Sequence, residues 1–325
     1  MPGLVPGIHD LTWCTKVKTW MAGTSPAMTV SQTMPLLIDI LLAGIVLGGM
    51  YALIAMGLTL QYGVARIMNL SHGEGMIAAA FGAHWAFTAF VVSPLLGLIV
   101  AMPLAFVANW LIYGLVLMPL VRRAKNRAML EVDSILATFG LLFVLQGIML
   151  VVFGGQFYTY TYLSVPVDIF GSTVALNRLI ALIFALVIGT GLYLALTRTR
   201  QGTALRAVAA DPVAAQLVAI DVRNASAFAF ALGGALVAAG GVLVSMFSTF
   251  TASMGVVFTM KALIVVIMGG VGNLAGAMLA GIMLGLAETA VARLVDPGLT
   301  IAVTYALFLT VLLVRPTGLF GRPAR

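Results

Sequence analysis

The stretch from Leu36 to Leu60 reads LLIDILLAGIVLGGMYALIAMGLTL and contains one charged residue, Asp39. A helix that crosses the hydrocarbon core of a membrane needs about 20 mostly apolar residues, so this stretch is long enough to span a bilayer. Gly44 and Gly48 stand one helical turn apart, and small residues at that spacing let a neighbouring helix approach closely. Asp39 is expected at the membrane interface.

The same kind of apolar run recurs along the whole chain. Of its 325 residues, 62% are hydrophobic and 8% are charged, whereas soluble domains carry about 25% charged residues. The alternating segments of a membrane β-barrel are absent. The sequence therefore predicts an all-α polytopic membrane protein of about eight transmembrane helices, plus or minus one. The expected spans are 36–60, 67–92, 93–117, 134–153, 176–196, 225–247, 277–291 and 299–314.

One further apolar segment, near residues 260–276, is short and breaks at glycines. The glycines are Gly269, Gly270, Gly272 and Gly276. Membranes tolerate an interrupted helix only where protein or water satisfies the freed backbone groups. We therefore predict a broken or re-entrant helix here.

Basic residues predict the orientation of the spans. The net charge is +7, and the basic residues lie in short loops, where they favour the cytoplasmic side. The chain is therefore expected to be a multi-pass membrane protein with a cytoplasmic C-terminus. Residues 154–175 and 248–254 are expected outside. This charge pattern gives no reason to expect a nucleic-acid partner; the lipid bilayer is the expected surrounding.

Residues 1–33 differ in composition from the rest. They hold the single cysteine, Cys14, and no apolar run, so they lack the hydrophobic core of a signal peptide. We expect 1–33 to be a spurious or disordered extension, with Met34 as the true start. Residues 34–325 are expected to form a single transmembrane domain.

The segment 197–223 is the long stretch that resembles neither a span nor a turn, and its centre, residues 202–221, reads GTALRAVAADPVAAQLVAID. Asp211 followed by Pro212 is typical of a helix start. Val213, Leu217 and Ile220 follow at the spacing of one helical face. With the nearby Arg206, such a helix suits either an interface with lipid headgroups or a groove in a partner protein.

The sequence offers no catalytic or cofactor motif. It contains no phosphate-binding loop of the form GxxxxGK[ST] and no HExxH pair, and Gly270-Val271-Gly272 is only half of a dinucleotide fingerprint. We therefore expect no metal or cofactor on this chain and a transport subunit rather than an enzyme.

Polar residues inside the predicted spans are candidates for a translocation path, because they are costly in lipid. These candidates are Asn69, Ser71, His72 and Glu74. Glu74 either pairs with Arg66 at the cytoplasmic rim or lines the path. Glu288 is expected at an interface. An ion-coupled secondary transporter that uses Glu74 or Glu288 is the alternative function.

Several motifs, in order along residues 34–322, resemble branched-chain amino acid ABC importer permeases of the LivH type. They are MYALIAMGLTL (50–60), MNLSHGE (68–74), GTALRAVAAD (202–211), the glycine turn of 268–276, and RPTGLFG (315–321). The resemblance implies a second, related permease, two ATP-binding subunits that supply ATP and Mg²⁺ chemistry, and a periplasmic amino-acid-binding protein. It also implies that 202–221 couples the permease to the ATPase, which makes Arg206, Asp211, Pro212, Val213, Leu217 and Ile220 the candidate coupling residues.

Two positions depart from the family pattern. Ala210 stands where an acidic residue is usual, and Ala219 stands where glycine is usual. A glycine would let the helix end in the left-handed conformation, which costs alanine about 1 kcal/mol. The helix therefore either continues through Ile220 or ends with strain. The sequence leaves the amino acid or amide that is carried open.

Overall fold

The computed structural model describes residues 26–124, 126–169 and 172–321. These residues form α-helices and one short antiparallel hairpin, β1 (Pro166–Ile169) with β2 (Ser172–Ala175). The helices are α1 (Pro26–Leu60), α2 (His72–Phe90), α3 (Pro94–Ile112), α4 (Met118–Arg123), α5 (Arg127–Phe153), α6 (Leu176–Arg198), α7 (Arg200–Ala210), α8 (Pro212–Leu217), α9 (Val222–Ser245), α10 (Gly255–Gly269), α11 (Leu274–Leu294) and α12 (Thr300–Val314).

Seven helical segments in the described part of the chain are long and apolar enough to cross a membrane. The nineteen-residue α2 and the shorter apolar α10 accompany them. The predicted all-α polytopic class is therefore confirmed. The boundaries differ in places: α5 begins at Arg127 rather than near Ser134, because Asn126 caps it by accepting a hydrogen bond from the Met129 N–H at 2.8 Å.

The prediction for residues 1–33 concerns mostly residues 1–25, which lie outside the described residues. Helix α1 begins at Pro26, ahead of Met34. The assignment of 1–33 as a spurious or disordered extension stays a prediction.

Helix α9 is the centre of the bundle. It is buried along most of its length and packs against α1, α2 and α3. Alanine and glycine dominate its sequence, and small side chains allow helices to approach closely in a membrane. Helix α9 is therefore a tightly packed interior helix.

Helices α1 and α11 run antiparallel and approach each other through glycines. A Cβ atom added at Gly48 would lie 2.6 Å from the Ile282 Cα, and one added at Gly281 would lie 2.6 Å from the Ala52 nitrogen. Real Cβ contacts are never that short, so neither position accepts a side chain without moving a helix.

We expect Gly281→Leu to destabilise the protein by about 3 kcal/mol or more, because overpacking at a backbone contact forces the helices apart. The matched control is Gly191→Leu on α6, where an added Cβ meets no atom within 4 Å. Thermal melting of both variants in detergent checks this. Equal melting temperatures for the two variants would contradict the close approach.

At one end of the bundle, aromatic side chains from separate segments pack together. Phe81 of α2 stacks on Phe153, with ring centroids 4.2 Å apart, and Phe250 pairs with Tyr158 through backbone hydrogen bonds of 2.9 and 3.0 Å. Phe250 is only 1% exposed. Segment 248–254 thus packs aromatic and alanine side chains into the protein, while its expected position on the external side of the membrane stays a prediction.

The hairpin and the loop before it belong to the same end of the bundle. Tyr160 in that loop is buried, and its hydroxyl lies 2.8 Å from the Ser245 Oγ at the end of α9. Burial raises the pKa of Tyr160 to about 12, so the hydroxyl stays protonated at neutral pH and keeps this contact. Two strands in the predicted external stretch 154–175 were not expected, since short polar strands carry little pattern.

Candidate functional site

The predicted break lies between α10 and α11. Gly270 and Gly272 have φ values of +96° and +80°, which favour glycine over any other residue. Asn273 then caps α11 by accepting a hydrogen bond from the Gly276 N–H at 3.1 Å. A Cβ added at Gly269 would lie 2.6 Å from the Ala277 nitrogen, so the two helices meet closely at the turn. The broken helix is confirmed.

The C-terminal segment 315–321 closes over this turn. The Leu319 N–H donates to the Met268 carbonyl at 2.8 Å, and the Asn273 side-chain amide donates to the Phe320 carbonyl at 3.1 Å. Two stretches that are far apart in sequence and that were each singled out as motifs thus form one structural unit.

The segment 197–223 folds as α7 and α8, and it packs on the same end of the bundle. Leu205 and Val208 of α7 are buried, and the Arg66 guanidinium donates to the Ala209 carbonyl at 3.2 Å. A third motif thus lies at this end, which we call the α7–α8 end.

Helix α8 starts as the sequence predicts. Pro212 is its first residue. The Asp211 carboxylate accepts hydrogen bonds from the Val213 N–H at 2.9 Å and from the Ala214 N–H at 3.2 Å. These bonds satisfy two of the N–H groups that a helix start leaves without a partner.

Helix α8 ends before Ala219, which adopts the left-handed conformation. The helix stops at Leu217, and Ala219 has a φ of +60°. The Ala219 N–H donates to the Gln216 carbonyl and the Ile220 N–H to the Ala215 carbonyl, both at 3.1 Å. This is the hydrogen-bond pattern of a Schellman motif, with alanine in the position that favours glycine. The helix does not continue through Ile220.

We therefore expect Ala219→Gly to stabilise the protein by about 1 kcal/mol, because glycine adopts the left-handed conformation without steric cost. The control is Ala214→Gly inside the same helix, which should cost about 0.5–1 kcal/mol. Melting temperatures of the two variants check this. A decrease for both would show that Ala219 is not strained.

The exposed side of α8 is apolar. Val213, Leu217 and Val218 are 66, 84 and 69% exposed, and we call these three residues the α8 surface. Ile220 is partly buried and packs against the core, because the left-handed turn directs the chain inward. The predicted stripe of Val213, Leu217 and Ile220 is therefore corrected: Val218 takes the third exposed position.

Arginine side chains lie at the same end of the bundle as the α8 surface. Arg206 is exposed, and its guanidinium donates to the Thr197 carbonyl at 3.3 Å. A cavity of about 620 Å³ separates α7 from the turn and the C-terminal segment, with Arg66, Arg206 and Asn273 among its lining residues. The α7–α8 end therefore combines positive charge with an apolar protrusion.

The candidate path residues lie inside the bundle, at the start of α2. The Asn69 amide donates to the Gln61 side chain at 3.1 Å and its oxygen accepts from the Ser71 hydroxyl at 2.7 Å. His72 Nε2 lies 3.0 Å from the Ile54 carbonyl of α1. All of these side chains are buried. The contacts connect the first two motifs, 50–60 and 68–74, while a role in translocation stays a prediction.

Glu74 does not pair with Arg66. Its side chain is fully buried, and a Cβ atom added at Gly255 would overlap its carboxyl group. Its two oxygens have no side-chain partner among the described residues. The carboxyl group lies against the first turn of α10, where the helix dipole favours negative charge.

Glu288, which was expected at an interface, is buried inside the protein. Its Oε2 accepts hydrogen bonds from the Lys261 Nζ and from the Tyr51 hydroxyl, each at 2.8 Å, and its Oε1 accepts one from Thr304. The exposed fraction of its side chain is 4%. Four helices, α1, α10, α11 and α12, thus meet at one buried ion pair. The sequence reasoning missed Lys261, whose position inside an apolar segment was the available signal.

A bundle of apolar helices with a broken helix and buried polar residues defines a polytopic integral membrane protein. Comparison with known proteins specifies this class. Residues 40–313 match the family model described as "Branched-chain amino acid transport system / permease component", and the chain belongs to this family of permeases.

Individual relatives agree with the family match. The chain is 30% identical over 292 residues to the high-affinity branched-chain amino acid transport system permease protein BraD of Pseudomonas aeruginosa, covering 87% of this chain and 95% of BraD. It is 27% identical over 295 residues to LivH of Escherichia coli, covering 86% and 94%. A probable LivH of Methanocaldococcus jannaschii is 26% identical over 292 residues, covering 87% and 92%. No solved structure matches.

Proposed function

We propose that this permease is the membrane-spanning subunit of an ATP-driven ABC importer for branched-chain or related hydrophobic amino acids. The observation that carries the proposal is the α8 surface, an exposed apolar protrusion beside arginines at one end of a membrane bundle. The chain has no phosphate-binding loop, so ATP and Mg²⁺ are bound by separate subunits that dock on this surface. A second, related permease and a periplasmic amino-acid-binding protein complete the transporter.

The α7–α8 end faces the cytoplasm in this proposal, and the protein lies in the bacterial inner membrane. Arg66 contacts α7, and a cavity lined by both Arg122 and Arg223 places those residues near each other. Clustering of basic residues at one end favours the cytoplasmic side. The C-terminal segment 315–321 lies at the same end, so the C-terminus is cytoplasmic as well.

Coupling then follows a physical route through the α7–α8 end. Closure of the ATP-binding subunits pushes on α8, whose partner segment α7 is anchored to Arg66 next to α1. Packed helices respond to such a push by rigid-body movement rather than by bending. The close contact between α10 and α11 at the glycine turn lets both helices move together.

The test measures leucine uptake into membrane vesicles that contain the full transporter. We expect uptake to require hydrolysable ATP and to be insensitive to an uncoupler. Uptake that collapses with the uncoupler while ATP is maintained would contradict the proposal.

The buried, unpaired carboxyl group of Glu74 is the observation that favours ion coupling as the second candidate. A secondary transporter uses such groups as proton or sodium sites. In the ABC proposal, Glu74→Gln retains ATP-driven uptake, because the amide keeps the shape of the side chain. Loss of uptake in Glu74→Gln, together with sensitivity of the native protein to the uncoupler, would support the ion-coupled alternative.

A further inference from the structure

At the end of the bundle opposite the α7–α8 end, a cavity of about 290 Å³ lies between α1, α6, α11 and the start of α12. Its walls combine apolar side chains, among them Val46, Leu47 and Phe247, with the charged residues Arg178, Arg293 and Glu288. Ligand pockets have volumes of roughly 300–1,000 Å³, so this cavity suits a ligand at the small end of that range.

Of the charged side chains that line the cavity, one guanidinium group has no partner among the described residues. Arg293 pairs with Asp39 at 3.1 Å, and Glu288 pairs with Lys261 at 2.8 Å. Arg178 has no hydrogen-bond or ion-pair partner among the described residues, although it is partly shielded from solvent. Its neighbour Asn177 is buried and donates to the Met246 carbonyl at 2.9 Å, which fixes the start of α6. Arg178 is therefore a cation at the cavity wall without an anion among the described residues, and guanidinium groups bind carboxylates through paired hydrogen bonds.

The Glu288 carboxylate has one hydrogen-bond acceptor position that no described residue occupies. A carboxylate offers about four acceptor positions. Lys261 and Tyr51 occupy two positions on Oε2, and Thr304 occupies one on Oε1. Glu288 is one of the residues that line the cavity, so its carboxylate is an acceptor for a cation on the cavity wall.

We propose that this cavity is a binding site for a zwitterionic amino acid with an aliphatic side chain. Arg178 binds the α-carboxylate, Glu288 binds the α-ammonium group, and Val46, Leu47 and Phe247 contact the aliphatic side chain. The identity of the ligand rests on the proposed function. Under the proposed orientation the cavity lies at the outer face, where a binding protein releases its cargo.

The test is protection of an introduced cysteine. In full-length transporter with Cys14→Ser, Ala292→Cys on the cavity wall is labelled with a membrane-impermeant maleimide in the presence and absence of leucine. We expect leucine to slow the labelling, and isoamylamine, which lacks the carboxylate, to leave it unchanged. Phe157→Cys, exposed at the same end outside the cavity, is the control and should be labelled equally with and without leucine. If Ala292→Cys does not reach the membrane, Thr289→Cys replaces it.

Arg178 variants test the role of the guanidinium. In Arg178→Gln, protection should require about tenfold more leucine, as expected for a lost charged hydrogen bond, whereas Arg178→Lys should require less of an increase. If labelling is unchanged at saturating leucine in vesicles that take up leucine, the cavity is not an amino-acid site. The proposed function is then unaffected. Protection in vesicles that show no ATP-driven uptake would support the cavity and overturn the proposed function. If neither protection by leucine nor ATP-driven uptake is found, the binding site and the proposed function are both contradicted.

Discussion

Replacing Arg206 by Glu together with Leu217 by Asp is expected to abolish co-purification of the ATP-binding subunits while leaving the permease in the membrane. Leu217 is 84% exposed and has no packing role to lose. A carboxylate in its place puts an unpaired charge into the proposed docking contact, where it is costly to bury. Reversal of the charge at Arg206 adds repulsion if the partner surface is acidic.

The expected size of this effect is large. Removing an apolar residue at the centre of a protein interface costs about 2–4 kcal/mol, which corresponds to a loss of roughly 30- to 700-fold in affinity. The conservative pair Arg206→Lys with Leu217→Met is the matched control and should co-purify normally. Phe157→Asp, at the other end of the bundle, should also co-purify. Undiminished co-purification of the Glu/Asp double variant would refute docking on the α8 surface.

Breaking the buried ion pair is expected to have the second large effect. Lys261→Ala leaves the Glu288 carboxylate buried without its cation, and Glu288→Ala leaves the ammonium group without its anion. Loss of one partner of a buried pair costs about 3–5 kcal/mol, mainly because the remaining charge is desolvated. We expect either variant to lower the melting temperature strongly or to be lost from the membrane.

Two further variants distinguish the loss of the ion pair from a general loss of stability. The double variant Lys261→Met with Glu288→Gln removes both charges and should be more stable than either single alanine variant. Asp39→Asn breaks the more exposed pair with Arg293, whose side chains are 24 and 49% exposed, and it should cost less than about 1 kcal/mol. A double variant no more stable than the single variants would show that the charges are not coupled.

Local chemistry made parts of the site predictable from sequence. Asp211 before Pro212 fixes the start of α8, because side-chain capping and the missing proline N–H act within one turn. The glycines at 269–276 similarly predict the break, since positive φ and close backbone contact both require glycine. The amphipathic spacing of Val213 and Leu217 predicts the exposed α8 surface.

The remaining features depend on neighbours that are distant in sequence. Glu288 lies near the end of its apolar run, and only the packing of α1, α10 and α12 around it shows that it is buried. Phe250 lies in a polar stretch, and its burial follows from the aromatic side chains of α2 and the loop at Tyr158. The inward turn of Ile220 follows from the left-handed Ala219, a conformation that alanine rarely adopts.

The most direct measurement for the central claim is a cross-link between α8 and an ATP-binding subunit. Leu217→Cys in a Cys14→Ser background is treated with a short bifunctional maleimide in the complete transporter, together with a single cysteine introduced in the ATP-binding subunit. The account predicts a cross-linked product whose yield changes when ATP closes the ATP-binding subunits, and none for Phe157→Cys. Absence of any product from Leu217→Cys across a scan of cysteine positions in the partner, in a transporter that still takes up leucine, would contradict the account.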